Sequence, residues 1–255
     1  MECPILSVLL VGNANPLCYW SRDLERGASM DQKTRNNVTW VEFLAYGLLA
    51  ALIATGYRLA AVDEGYFRNV YVPEDGVLET ATAIMLFSCA VIVVLRVLRE
   101  RQMHPRSFFV IGAVMAVVFF FVAGEEISWG QRIFGVESSE FFLKNNRQDE
   151  TNLHNLEVRG VNLNKLIFGR MLVLFLIGYY LILPYLFSRR GRVYRWASSL
   201  YFPVPKIHNG VMMLALGLFV EQIPSSKRGE LNEVCLGVFA LLLVTSAQNI
   251  RRRNG

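Results

Sequence analysis

Six apolar stretches, each close to the length that crosses a bilayer, decide what this chain can fold into. They are Val41 to Val62, Val77 to Val97, Ser107 to Gly124, Leu166 to Phe187, Ile207 to Ile223 and Leu231 to Ile250. About 30 Å of hydrocarbon takes roughly 20 helical residues, because a helix satisfies its backbone groups internally. With 53% hydrophobic and 18% charged residues over 255 positions, the chain is too apolar for a soluble domain of this size. The expected fold is an all-α, polytopic membrane helix bundle of about six transmembrane helices. The fifth stretch is the weakest: its uncharged core, Ile207 to Val220, is short and Pro224 closes it. A re-entrant or tilted segment stays open there.

Basic residues set the expected orientation, since cytoplasmic loops carry the Lys/Arg excess. Sixteen of the 26 basic residues, among them Arg96, Arg99, Arg106, Arg189, Arg190, Arg192, Arg195 and Lys206, fall on one side with only six acids. Both termini are therefore expected in the cytoplasm, with the connection from Glu125 to Lys165 outside. The overall charge of +5 averages a basic inner face and an acidic outer one, and gives no warrant for nucleic-acid binding.

Residues 1–29 hold an apolar run, Ile5 to Gly12, that is too short to span and has no basic region before it. They read as a disordered extension or an early start, with residues 30–255 forming a single integral domain. Cys89 and Cys235 fall inside apolar stretches, so buried thiols acting as small hydrophobes are expected rather than a disulfide framework.

Candidate chemistry gathers on the outer side. Glu125 and Glu126 follow directly on an uncharged run, and a carboxylate beside hydrocarbon is costly enough to mark a functional site. The long connection carries Phe134, Phe141, Phe142, Leu143, Leu153 and Leu156, enough apolar content to lie on the bilayer surface. A short interfacial helix is expected over Val136 to Leu143, capped by Ser138 or Ser139. A second helical piece is expected from about Asp149, which would put Glu150, His154 and Glu157 on one face. Glu125, Glu126, Glu150 and His154 are thus the candidate catalytic residues, expected to share one outward cavity. They suit general acid–base work, or a carboxylate-rich divalent site for Mg, Mn, Ca or Fe; the residues leave the metal open. Glu79, Ser128, Trp129, Gln131, Arg132, Asn155 and Arg170 are supporting candidates, Ser128 as a weak nucleophile.

Each has a plainer role as well. Glu125 and Glu126 can form a structural ion pair with Arg132 or Arg170, Trp129 can be an interfacial anchor, and His154 a surface histidine. Glu79, Glu230 and Glu233 sit in first helical turns, where the dipole favours acids.

The strings Glu74-Asp75-Gly76 with Glu79, then Gly124-Glu125-Glu126-Ile127-Ser128-Trp129-Gly130-Gln131-Arg132-Ile133-Phe134-Gly135, then Gln148, Glu150 and Asn152-Leu153-His154-Asn155 resemble a family of bacterial multipass membrane proteins. The resemblance runs from about Val41 to the last helix and implies residence in a bacterial cytoplasmic membrane. It implies no activity.

Three functions are compatible with these residues. The first is an enzyme at the outer headgroup level, hydrolysing or transferring groups on a lipid or lipid-linked substrate. The second is a non-catalytic subunit or scaffold holding a membrane protein partner or a second copy of itself. The third is a transporter, ranked last because the ionisable groups gather at one boundary instead of reaching the midplane.

Overall fold

A computed structural model describes residues 37–100, 102, 104–158, 161, 162, 169 and 171–249. The expectations for residues 1–29 and for Arg170 lie outside these. The unit from Val38 onward is an all-α bundle.

Helix α1 (Trp40–Val62) begins with a reciprocal cap. The Glu42 N–H donates to Thr39 Oγ1 at 3.3 Å, and the Thr39 N–H to Glu42 Oε2 at 2.8 Å, so two otherwise orphaned amides are satisfied. Asp63 then caps a short turn, Glu64–Tyr66, that continues as a π-turn, Phe67–Tyr71. Helices α2 (Val77–Glu100) and α3 (Arg106–Glu126) pack against each other. After α3 come a single turn, Ser128–Gly130, a second, Gln131–Phe134, and the short helix α4 (Glu140–Asn145). Two-residue strands, β1 (Glu157–Val158) and β2 (Val161–Asn162), pair antiparallel, Glu157 opposite Asn162.

Helix α5 (Leu172–Ser188), interrupted by a π-turn at Gly178–Ile182, bends through 111° into α6 (Arg192–Leu200). Helices α7 (Ile207–Val220) and α8 (Gly229–Ser246) complete the bundle.

Helix α8 is apolar around its whole circumference, from Leu231 and Val234 to Phe239, Ala240 and Val244, and is accordingly the central element. One of its sides joins Tyr46, Leu49 and Ile53 of α1 with Leu216 and Val220 of α7. The other joins Leu86, Cys89 and Val93 of α2 with Ala116 and Ala123 of α3. Cys89 and Cys235 are both buried. Outward faces of α1 and α3 keep Leu48, Val114, Val117 and Phe120 more than half exposed.

Four helices, α1, α2, α3 and α8, are long and apolar enough to cross a membrane, or five with the bent α5–α6 pair. Helix α7 has only 14 residues, about 21 Å at 1.5 Å per residue, short of a full span. The extended segment holding Pro203 and Pro205 precedes it, and turns from Glu221 to Ser225 follow.

Consecutive helices alternate between two ends. At one, Ser225 Oγ donates to Glu64 at 3.2 Å and Lys227 Nζ to Glu74 at 2.6 Å; the long connection after α3 also lies here. At the opposite end, Lys206 Nζ and Ser246 Oγ donate to Glu42 at 2.9 and 3.1 Å.

Candidate functional site

Neighbours on a helix point about 100° apart, so the last two residues of α3 serve different surroundings. Glu125, 3% exposed, turns toward the long connection. Its Oε1 accepts the Trp129 indole N–H at 2.9 Å, and its Oε2 accepts the N–H of Leu153 at 2.5 Å and of His154 at 3.2 Å. One carboxylate thereby fastens the returning chain to the helix end.

The turn that makes this possible is left-handed over three residues: Ser128 (φ 46°), Trp129 (φ 56°) and Gly130 (φ 75°). For the two non-glycines this costs on the order of 1–2 kcal/mol each, so side-chain bonds must hold it. Ser128 Oγ donates to Glu150, and Asn152 Nδ2 donates to Ser128 Oγ at 2.9 Å and to Glu150 Oε2 at 2.8 Å. Arg132 pairs with both Asp75 and Glu150, and not with Glu125 or Glu126, which the plainer reading of those glutamates had allowed. Gln131 Oε1 accepts Ser138 Oγ at 3.1 Å and the Thr151 N–H at 2.7 Å. The Trp129 ring lies edge-on to Phe120 and Phe121, with centroids 6.1 and 5.5 Å away, and 43% of the residue stays exposed. Such a half-exposed indole, bonded through its N–H, fits an interfacial anchor.

No helix forms from Asp149, which corrects the expectation that Glu150, His154 and Glu157 share a helical face. Asp149 takes φ 58°, Asn146 Nδ2 donates to Asn152 Oδ1 at 2.9 Å, and the Asn155 N–H donates to Asn152 Oδ1 at 3.2 Å. Asn and Glu side chains satisfy the amides that a helix would have used. The interfacial helix also starts later than expected, at Glu140 with Ser139 at the cap position, because Ser138 Oγ is engaged by Gln131 and Thr151.

His154 meets the knot mainly through its backbone. Its Nε2 lies 3.0 Å from Asn155 Nδ2, which also donates to Gln148 Oε1. Burial holds the imidazole below its usual range, partly offset by the nearby Glu125 charge. Among the described residues no three His, Cys, Asp or Glu side chains are placed to hold one metal ion.

Glu126 faces the bundle instead. Its carboxylate is within electrostatic reach of Glu79 on α2 and Glu230 on α8, and Glu233, one turn further along α8, feels all three. All four are half-buried. Glu79 accepts the Asp75 N–H at 2.7 Å, the ordinary duty of a first-turn acid. Among the described residues nothing donates a hydrogen bond or forms an ion pair to Glu126, Glu230 or Glu233. Lys227 is the nearest cation to Glu79 and Glu230, but its ammonium is held by Glu74, whose carboxyl it keeps below the usual range. The adjacent glutamates thus split into a structural clamp and a member of an uncompensated acidic group. Glu230 and Glu233 were visible only as first-turn residues, and nothing in local spacing sets them beside Glu126.

A second buried polar group, which the sequence did not single out, lies at the opposite end around Glu42. Glu42 is fully buried and receives Lys206 Nζ, Ser246 Oγ and the Thr39 cap, with His208 Nε2 at 3.4 Å. Tyr46 OH donates to the buried Asn209. The one legible signal was the Thr39–Glu42 capping pattern.

Comparison with family models, with curated proteins and with solved structures gives no match to this chain.

Proposed function

We propose that this protein is a multipass enzyme of a bacterial cytoplasmic membrane that works at the loop end of its bundle. Its substrate class is a lipid or lipid-linked molecule, and its reaction is hydrolysis or group transfer by acid–base chemistry. The observation that carries the reading is the uncompensated group formed by Glu126, Glu79, Glu230 and Glu233. Carboxylates brought together from three helices, with the nearby Lys227 ammonium paired to Glu74, repel one another, and a fold keeps such an arrangement only at a cost. A substrate group or a shared proton relieves it, and a carboxyl–carboxylate pair can supply acid and base together. Glu126 is the central acid–base candidate. Glu125, Glu150 and His154, with Arg132 and Asn155, hold the adjoining loop in place.

The topology follows the charge pattern: six membrane-associated segments including the short α7, both termini in the cytoplasm and the long connection outside. Thiol labelling of Ser139→Cys and Ser188→Cys variants checks it. Labelling of the Ser188 position alone from outside reverses the orientation.

Glu42 and Lys206 add ionisable groups at the second end of the bundle, but the transporter reading still lacks them at the midplane. It gains no path: among the described residues α1, α2, α3, α5, α7 and α8 carry no Asp, Glu, Lys, Arg or His in their middle thirds.

The direct test incubates proteoliposomes with a panel of phospholipids and polyprenyl-linked sugars and follows products by mass spectrometry. Conversion by wild type, lost in Glu126→Gln with folding unchanged, is expected. No conversion of any member, or equal conversion by the variant, defeats the reading and leaves the scaffold ahead.

A further inference from the structure

Helix α6 leaves α5 at 111°, and the turn falls at Gly191. At 100° per residue its nine residues divide cleanly. Val193, Ala197 and Leu200 lie on one face with Tyr194 and Trp196 at its margins, while Arg192, Arg195, Ser198 and Ser199 lie on the other. The apolar face packs inward: Ala197 is fully buried in a cluster with Phe187 and Val204, and the Tyr194 ring sits 4.8 Å from that of Phe187. Trp196 stays 50% exposed, its ring 5.5 Å from Phe202. Ser107 Oγ donates to the Ser199 carbonyl at 3.5 Å, which brings the polar face beside the start of α3 and its exposed Arg106. Arg192 and Arg195 are exposed, and neither has an acidic partner among the described residues.

We propose that α6 lies in the plane of a membrane leaflet and binds the headgroups of anionic phospholipids through Arg192 and Arg195, with Arg106 alongside and Trp196 at the headgroup boundary. Three features point to this occupant. The helix continues from an apolar element through a bend that turns it along the end of the bundle. Its unpartnered charges are all guanidinium groups, which match phosphate oxygens in geometry and sign. An indole at the margin between polar and apolar faces suits the interface. The proposal rests on the membrane reading of the long helices and is independent of the loop-end chemistry.

The test titrates full-length protein in neutral detergent with phosphatidylglycerol or phosphatidylcholine and reads bound lipid by native mass spectrometry. Wild type is expected to prefer phosphatidylglycerol, and the Arg192→Gln/Arg195→Gln variant to bind it about 25-fold more weakly, roughly fivefold per arginine. Arg192→Lys/Arg195→Lys should retain the preference, and high salt should abolish it in wild type. Equal binding of both lipids by wild type, an unchanged Gln variant, or complete displacement by equimolar inorganic phosphate overturns the proposal. Failure of the protein to fractionate with membranes at all would instead remove the membrane reading beneath it.

Discussion

The carboxylate of Glu125 accepts the backbone N–H of Leu153 at 2.5 Å, across 28 positions of chain. Glu126, its immediate neighbour, takes no hydrogen bond from any described residue. The two glutamates should therefore respond oppositely to substitution. Glu125→Ala strands the N–H groups of Leu153 and His154 and the Trp129 indole, at about 1–3 kcal/mol since all are partly buried. A lower thermal midpoint and new proteolytic cleavage between residues 146 and 158 are expected. Glu126→Gln removes only repulsion, so its midpoint should equal or exceed that of wild type; a clear drop would reveal a hidden partner.

Glycine chemistry at the turn gives a second expectation. A Cβ on Gly124 would lie 2.9 Å from the Trp129 ring, and Gly130 sits at φ 75°. Gly130→Ala should cost on the order of 1–2 kcal/mol. Gly124→Val should push the indole off Glu125, which a red shift of Trp129 emission would report. Wild-type stability in both variants would show that the left-handed turn relaxes freely.

At the opposite end the buried Glu42–Lys206 pair should be costly to break and cheap to replace. Glu42→Gln or Lys206→Met alone should destabilise by about 3–5 kcal/mol, whereas Glu42→Met combined with Lys206→Met should recover much of the loss. A double-mutant cycle in detergent measures the coupling. Additive losses would mean that the two charges are stabilised separately.

His154 makes stability depend on pH in a defined direction. Its folded-state value lies below the unfolded one, through burial, so between the two the unfolded chain holds more protons. The contribution of His154 is complete above about pH 6.5 and declines as pH falls from there toward the folded value. His154→Gln should flatten that part of the profile. Profiles of wild type and His154→Gln that run parallel through this range would contradict the burial of the imidazole.

Local sequence was enough for most of the long helices, because apolar length is a short-range property, but not for the bend into Arg192–Leu200. The stretch expected from Val41 to Val62 is the helix Trp40–Val62, Val77–Glu100 begins at the predicted residue, and the limit on Ile207–Val220 was visible in Pro224. Membership of the polar groups was not legible. The helical piece expected at Asp149 yielded to Glu125, which takes two of its amides from 28 and 29 positions away. Glu42 meets Lys206 across 164 positions, and Glu126 comes near Glu230 and Glu233 only because α2 packs against both α3 and α8. The sequence by itself determined that this chain is a helical bundle with acids gathered at one end of it. Only tertiary packing decided which acids are satisfied and which are left uncompensated, since a carboxylate's role depends on the donors within about 3 Å and those donors come from distant parts of the chain.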